Sequence, residues 1–375
     1  MRPARFAPPP VHAAFATVPR HRFLPHFRYR ADEYTLDTTH EPPDDVLDIV
    51  YANNALLTHT GRDGNPTSSS SAPSIMAKML EALDLRPGLR TVEIGAGTGY
   101  NAALIHHITG APVVTVEAGR HAATEANTAL SALGLDEGVH VIHGDGYLGY
   151  PDGAPYDRLI ATCGIAGIPP RWLAQLAPEA LIIAPVAHAG VHPILVISYR
   201  QGTITLEGQA LLWSDFMPAA GPLRPAELFH HDPVRDVPTT DARHVPHAGP
   251  VLDQTQYHDL WCYLGTRDPR ITRAYPDVDA FNLDLGACAL LDPDAGPAWV
   301  HTDGSMTTTG DPEIGNQLAA LVQEWDATGR PSVGDWTMDW RGTHRDADLA
   351  GLLLPDRWRA RLDAGISRSR WSGRC

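Results

Sequence analysis

The chain predicts an α/β fold on a mainly parallel, doubly wound sheet, followed by a smaller C-terminal α+β domain. Three observations carry that expectation. From residue 91 to about residue 200, short apolar runs of strand length alternate with helical segments. A glycine-dense turn, Gly95-Ala-Gly-Thr-Gly99, joins the first of these strands to the first helix. After about residue 215 the composition shifts: prolines crowd the chain, and eight of the nine tryptophans lie beyond residue 200.

A chain of 375 residues is long for a single core. We expect an N-terminal arm and substrate-side segment over 1–66, the α/β domain over 67–215, a proline-rich linker over 216–244, and a C-terminal accessory domain over 245–375. Residues 1–17 read as a loose proline- and alanine-rich arm, and within 26–66 only Val50–Leu57 has an ordered pattern. The serines Ser68–Ser71 read either as a flexible linker or as the cap of an amphipathic helix over Ile75–Leu83.

The alternation then runs in order. Strand Thr91–Ile94 leads to a helix over 100–109, and strand Pro112–Val116 to a helix over 121–133. Strands at His140–His143 and Arg158–Ala161 precede a helix over 170–176. Strands Leu181–Val186, Ile194–Tyr199 and Ile204–Leu211 follow, the last two joined through Arg200–Thr203 as an antiparallel hairpin at one edge. In the C-terminal part, Asp303-Gly304 marks a hairpin, and Asp311 with Pro312 opens a helix that Gly329 and Pro331 close. Trp336, Met338 and Trp340 alternate as in a strand, and Trp299, Trp325, Trp336 and Trp340 line a cleft or fill the small domain's core.

The net charge of −15 excludes nucleic acid as the main partner and disfavours an anionic membrane surface. The four cysteines are scattered without a C-x-x-C pair, which fits a reducing, cytoplasmic setting. No signal peptide or transmembrane run is expected. The histidines, including His230-His231, show no metal-ligand spacing, so no metal is expected.

The glycine turn carries the first chemical signal. Such a turn brings main-chain N–H groups and a helix N-terminus against a bound small molecule. A dinucleotide fingerprint would need glycine at position 100, which is tyrosine. The G-x-G-x-G spacing points instead to S-adenosylmethionine. Glu117, at the end of the second strand, can accept both hydroxyls of a ribose. Asp145, in Gly144-Asp-Gly146 after the third strand, can receive an exocyclic adenine amine. Glu93, inside the first strand, needs donors that the loop amides or the ligand's ammonium could supply. The candidate cofactor residues are therefore Glu93, Gly95, Ala96, Gly97, Thr98, Gly99, Glu117, Asp145 and Gly146.

Residues 18–200 resemble the protein-L-isoaspartate (D-aspartate) O-methyltransferase family. The matching pieces are Val18-Pro-Arg-His21, Ser70-Ser-Ala-Pro73, Val92–Tyr100, Gly144–Tyr150, Ala154-Pro-Tyr-Asp157 and Pro169-Pro170 with Leu173, Gln175 and Leu176. The resemblance implies a Rossmann-like class I fold, S-adenosylmethionine as cofactor, and a peptide or protein substrate bearing an aspartyl or isoaspartyl residue. It also implies that Ser71 is the catalytic residue that holds the substrate carboxylate, with Ser70, Ala72 and Pro73 beside it.

Three departures matter. Pro178-Glu-Ala180 replaces the usual Pro-Gly-Gly, the segment between Pro25 and Ser68 is longer than in the repair enzyme, and the tail beyond 215 is expected to have no counterpart there. The longer architecture resembles actinobacterial relatives that act in the biosynthesis of ribosomally made cyclic peptides. The favoured expectation is thus esterification of an aspartate in a cyclised peptide, leading to aspartimide or isoaspartate. Repair of isoaspartyl proteins is the alternative, and a binding module without turnover the second.

Overall fold

The structure, a computed structural model, describes residues 10–61, 64–199, 206–225, 234–237, 239, 241–246, 248–276, 286–341 and 351–361. The expected turn Arg200–Thr203, His230-His231 and Cys375 lie outside these residues.

Helix α1 (Pro10–Thr17) turns Val11 and Ala14 inward, so the second half of the expected loose arm is ordered. Strands β1 (His26–Tyr29) and β2 (Asp32–Thr35), helix α2 (Asp44–Tyr51), and strands β3 (Leu56–Thr60) and β4 (Pro66–Ser70) come next. The strands form one sheet in the order β2-β1-β3-β4. Far more of 26–66 is therefore ordered than its polar composition suggested. The serine run is neither linker nor cap. Ser68 and Ser70 are alternate inward residues of β4, and helix α3 (Pro73–Ala82) starts after Ala72 with no side-chain cap. Tertiary partners make a polar strand possible here: Thr58 donates to Ser68 Oγ at 3.0 Å, and Arg20 Nε to Ser70 Oγ at 3.2 Å.

The α/β region follows the predicted alternation. It contains β5 (Thr91–Ile94), α4 (Tyr100–Thr109), β6 (Val113–Glu117), α5 (Arg120–Ala132), β7 (Val139–His143), β8 (Tyr156–Ala161), α6 (Pro170–Leu173), β9 (Leu176–Pro185), β10 (Ile194–Ser198) and β11 (Leu206–Leu212). Strands β5 to β9 pair in parallel, and β10 and β11 antiparallel. Both faces of the parallel strands are covered, so their side chains alternate between two cores. Leu159 and Ala161 enter one core and Ile160 the other; Ile182, Ala184 and Ile183 repeat the pattern.

The C-terminal part holds β12 (Val234–Val237), β13 (Arg243–Val245), α7 (Gln254–Arg267), β14 (Ile271–Pro276), β15 (Ala287–Asp292), β16 (Gly296–Val300), β17 (Met306–Thr308), α8 (Pro312–Ala327), β18 (Trp336–Arg341) and β19 (Leu354–Ala360). A six-stranded sheet runs β12-β14-β15-β16-β17-β13, so two short strands of the expected linker belong to it. Asp311 caps α8 by accepting from Glu313 N, with Pro312 at the first position, as predicted.

The strand expected at Trp336, Met338 and Trp340 exists, but it pairs with β11 rather than with the small sheet. The large sheet therefore has nine strands, in the order β19-β18-β11-β10-β9-β8-β5-β6-β7. The β10–β11 hairpin is consequently internal, because β18 and β19 extend the sheet beyond it. Gly208 permits that pairing: a Cβ there would stand 2.7 Å from the Trp340 ring. Trp299, Trp325, Trp336 and Trp340 are all buried, which makes them core and not a peptide cleft. Among the described residues no helix is long and apolar enough to cross a membrane.

Candidate active site

Chain order reverses across the sheet between β5 and β8. The chain leaves β5 towards β6 and β7, then returns to place β8 on the other side of β5. The carboxyl ends of such strands open a crevice where ligands bind. A cleft of about 720 Å³ lies there, within the size range of small-molecule sites. Its floor is the β5 turn, one wall is β4 running towards α3, and Phe216–Leu223 closes the far side.

Backbone geometry explains the glycines of the floor. Gly95 has φ 100°, and a Cβ on it would stand 2.5 Å from Thr162 Oγ1. That hydroxyl donates to Gly95 O at 2.6 Å, tying the turn to the end of β8. Gly97 has φ 51°, and its Cβ position lies 3.1 Å from Ser69 O on the facing wall. A side chain at Gly97 would therefore fill the gap between floor and wall.

Glu117 lines the cleft at the tip of β6. Gly97 N donates to one of its oxygens at 3.0 Å and Gly119 N to the other at 2.8 Å. Glu93 is completely buried, and its donors are side chains, not the loop amides that the sequence suggested. Asn101 Nδ2 donates to Oε1 at 2.8 Å, and Thr115 Oγ1 to Oε2 at 2.5 Å. Thr115 is the register neighbour of Glu93 on the adjacent parallel strand, which explains the contact. Burial pushes the Glu93 carboxyl up to about 7 against the opposing pull of these two hydrogen bonds. Asn101 Oδ1 is buried beside it without any donor. An orphaned acceptor in a cleft lined by an acidic residue fits a ligand's ammonium group.

The serine wall is organised by Arg20, which is 1% exposed. Its Nη1 donates to Val50 O at 2.7 Å, and its Nη2 to Asn54 O at 3.1 Å, Ser70 O at 3.1 Å and Ser71 O at 2.9 Å. Burial lowers its pKa to about 10, so it remains a cation at neutral pH. The Ser70 hydroxyl is engaged by Arg20, whereas Ser71 lines the cleft half-buried.

The structure thus gathers Ser70, Ser71, Glu93, Gly95, Ala96, Gly97, Thr98, Glu117 and Gly146 around one cleft. Four predicted residues are not among its lining. Ala72 and Pro73 begin α3. Gly99 is left-handed at the start of α4, and its Cβ position lies 3.3 Å from Ala126 and Leu130 of α5, so it serves helix packing. Asp145 caps a short 3-10 turn by accepting from Tyr147 N at 2.9 Å.

Sequence reasoning missed Arg20, Asn101, Thr115 and the Thr162–Cys163 pair. Asn101 left a trace, as a polar residue in the otherwise apolar start of α4, and Thr115 as a polar residue between valines. Arg20 lay inside a quoted motif with no role attached. Cys163 lines the cleft, but burial pushes its thiol up to about 12, so it is protonated and no nucleophile.

Comparison with known proteins bears on this geometry. The family described as Protein-L-isoaspartate(D-aspartate) O-methyltransferase (PCMT) matches residues 4–221. A protein-L-isoaspartate O-methyltransferase of Methanoregula boonei is 38% identical over 195 residues, covering 52% of this chain and 77% of that protein. The protein of that name from Thermotoga maritima is 36% identical over 178 residues, covering 47% of this chain but only 50% of its own length. A solved structure described as a protein-L-isoaspartate O-methyltransferase aligns with a TM-score of 0.53 at 26% identity, covering 94% of this chain and 95% of that one. The last match overturns one expectation. The region beyond 215 does have a counterpart in a protein of that name, so it does not set this chain apart.

Proposed function

This chain belongs to the protein-L-isoaspartate(D-aspartate) O-methyltransferase family, and on that premise we propose that it methylates the free carboxylate of isoaspartyl residues in peptides or proteins. The observation that carries the reading is the meeting of the glycine turn and the Ser69–Ser71 wall across one cleft, beside an orphaned acceptor on Asn101. S-adenosylmethionine, the donor in this reading, supplies a methyl group already electrophilic on a sulfonium.

The chain's own residues bind and orient. Glu117, held by two backbone amides, presents a fixed carboxylate to a ribose. Asn101 Oδ1 and the Glu93 carboxyl receive an ammonium. A substrate carboxylate, with a pKa near ~4, is ionised at neutral pH and needs no general base. Alignment of nucleophile and methyl is the main task, and it can supply roughly 7–11 kcal/mol of the barrier. Ser71 orients the carboxylate, and Arg20 fixes the backbone of Ser71 through its carbonyl. In the ester, the next backbone nitrogen can attack the acyl carbon; the N–C bond forms, the ester C–O bond breaks, and methanol leaves with the amide proton.

The Pro25–Ser68 segment builds the β1–β4 sheet, whose last strand lines the cleft, and it lies within the residues that the family matches. Esterification of an aspartate in a cyclised peptide is therefore the alternative. Labelled-methyl transfer to three peptides separates the readings: linear isoaspartyl, linear aspartyl and cyclised aspartyl. Transfer to the linear isoaspartyl peptide is expected. Transfer to the cyclised aspartyl peptide alone would replace repair by modification, and transfer to none would leave binding without turnover.

A further inference from the structure

Three imidazoles crowd a single carboxylate beside the mouth of the cleft. Glu125 lies on α5, and His121, four residues before it, stands on the same helix face with Nδ1 at 3.2 Å from Oε1. His59, on β3, places Nε2 at 3.0 Å from Glu125 Oε2. His26, the first residue of β1, places Nδ1 at 3.7 Å from Oε1. The rings meet edge to face, with centroids 5.2 Å apart for His26 and His59 and 5.0 Å apart for His59 and His121. His59 and His121 also line the cleft.

The potential ligand atoms of His26, His59 and Glu125 all lie within 4.8 Å of one another. Ligand atoms around a tetrahedral zinc ion stand about 3.3 Å apart, given bonds of about 2.0–2.1 Å. The observed spacing therefore needs only small side-chain shifts to close on an ion. Imidazole nitrogens converging beside a carboxylate oxygen form a donor set that zinc favours, two histidines and a carboxylate.

We propose that His26, His59 and Glu125 form a binding site for a divalent transition-metal ion, with His121 beside Glu125 at its edge. The ion joins elements that the chain connects only through distant segments. His26 and His59 belong to the β2-β1-β3-β4 sheet, whereas Glu125 belongs to the helix that follows the Glu117 strand. A metal there staples the serine wall's sheet to the donor side of the cleft. Sequence spacing hid the site, because His26, His59 and the His121/Glu125 pair come from three separate segments.

The test uses tag-free full-length protein stripped with EDTA and titrated with Zn²⁺ and Co²⁺. We expect one equivalent to bind, a Co²⁺ d–d spectrum of low coordination number, and a Tm raised by several degrees at saturating Zn²⁺. His26→Asn and Glu125→Gln, both at partly exposed positions, should each weaken Zn²⁺ binding at least about tenfold and abolish the Tm shift. His107→Asn, an exposed histidine elsewhere, should change neither. Absence of a stoichiometric Co²⁺ spectrum, or equal Zn²⁺ affinity in all three variants, would overturn the proposal. Neither readout requires methyl transfer, so the site fails or stands apart from the activity.

Discussion

The floor of the cleft comes from one short stretch of chain. Thr91 to Gly119 supplies the strand, the glycine turn, Asn101 on the first turn of α4, Thr115 and Glu117, and the carboxylates of Glu93 and Glu117 find their donors inside that stretch. The serine wall is built in the opposite way. Ser68–Ser71 would be a featureless polar run on its own, and it is held by an arginine fifty residues upstream that also grips Val50 and Asn54. Local code makes one side, and a single buried cation makes the other. The floor should therefore tolerate change on the wall, whereas the wall should collapse when Arg20 is lost.

The largest effect is expected at Arg20. Arg20→Ala leaves the carbonyls of Val50, Asn54, Ser70 and Ser71 and the Ser70 hydroxyl without their donor. We expect a loss of about 3–5 kcal/mol of stability in denaturant unfolding, with methyl transfer abolished. Arg20→Lys keeps the charge but cannot reach four carbonyls, so it should recover part of the stability and little of the activity. An Arg20→Ala protein as stable as wild type would show that the wall holds itself.

Next comes the contact between floor and wall. Gly97→Ala adds a methyl 3.1 Å from Ser69 O at φ 51°. Left-handed backbone costs a non-glycine residue about 1–2 kcal/mol, and the methyl intrudes on the cleft. Calorimetry should show S-adenosylhomocysteine binding weakened about tenfold or more. Unchanged affinity would mean that the ligand does not pass between the two sides.

Ser71→Ala should act on the wall alone. It removes one hydroxyl, so turnover should fall about tenfold while S-adenosylhomocysteine affinity stays within about twofold. Equal loss of both would take Ser71 out of substrate orientation.

The smallest effect sharpens the account of the floor. The Glu93 carboxyl is raised from its usual 4.5 to about 7 by burial. In the ligand-free protein the folded state then holds a proton that the unfolded chain has lost, and stability falls as pH rises from about 4.5 to about 7. Glu93→Gln should remove that slope, so its stability relative to wild type improves from pH 5 to pH 8. A parallel pH dependence in both proteins would place the ionisation elsewhere.

The same contrast explains what could be read from the chain. Parallel strands and the glycine turn were legible because apolar runs and G-x-G-x-G are local patterns that lie within single elements. The assignment of Glu117 to the cleft followed from the strand end on which it sits. Asp145 has a structural role the sequence left open, since a carboxylate between glycines caps a turn as readily as it meets a ligand. Arg20 and the pairing of Trp336–Arg341 with β11 were not legible, since each depends on partners far away in sequence, and the order in 26–66 was hidden because the local hairpins β1–β2 and β3–β4 are built from polar residues. Polar β4 pairs with β3, and Thr58 and Arg20 meet its inward serines.

A crystal structure with S-adenosylhomocysteine decides where the donor lies. The ligand is expected between the Gly95–Gly97 turn and Ser69–Ser71, its ribose on Glu117 and its ammonium on Asn101 Oδ1, with Ser71 facing the sulfur. Ligand bound instead in the neighbouring cleft around His192 and Arg273, or a ribose that leaves Glu117 untouched, would contradict that placement.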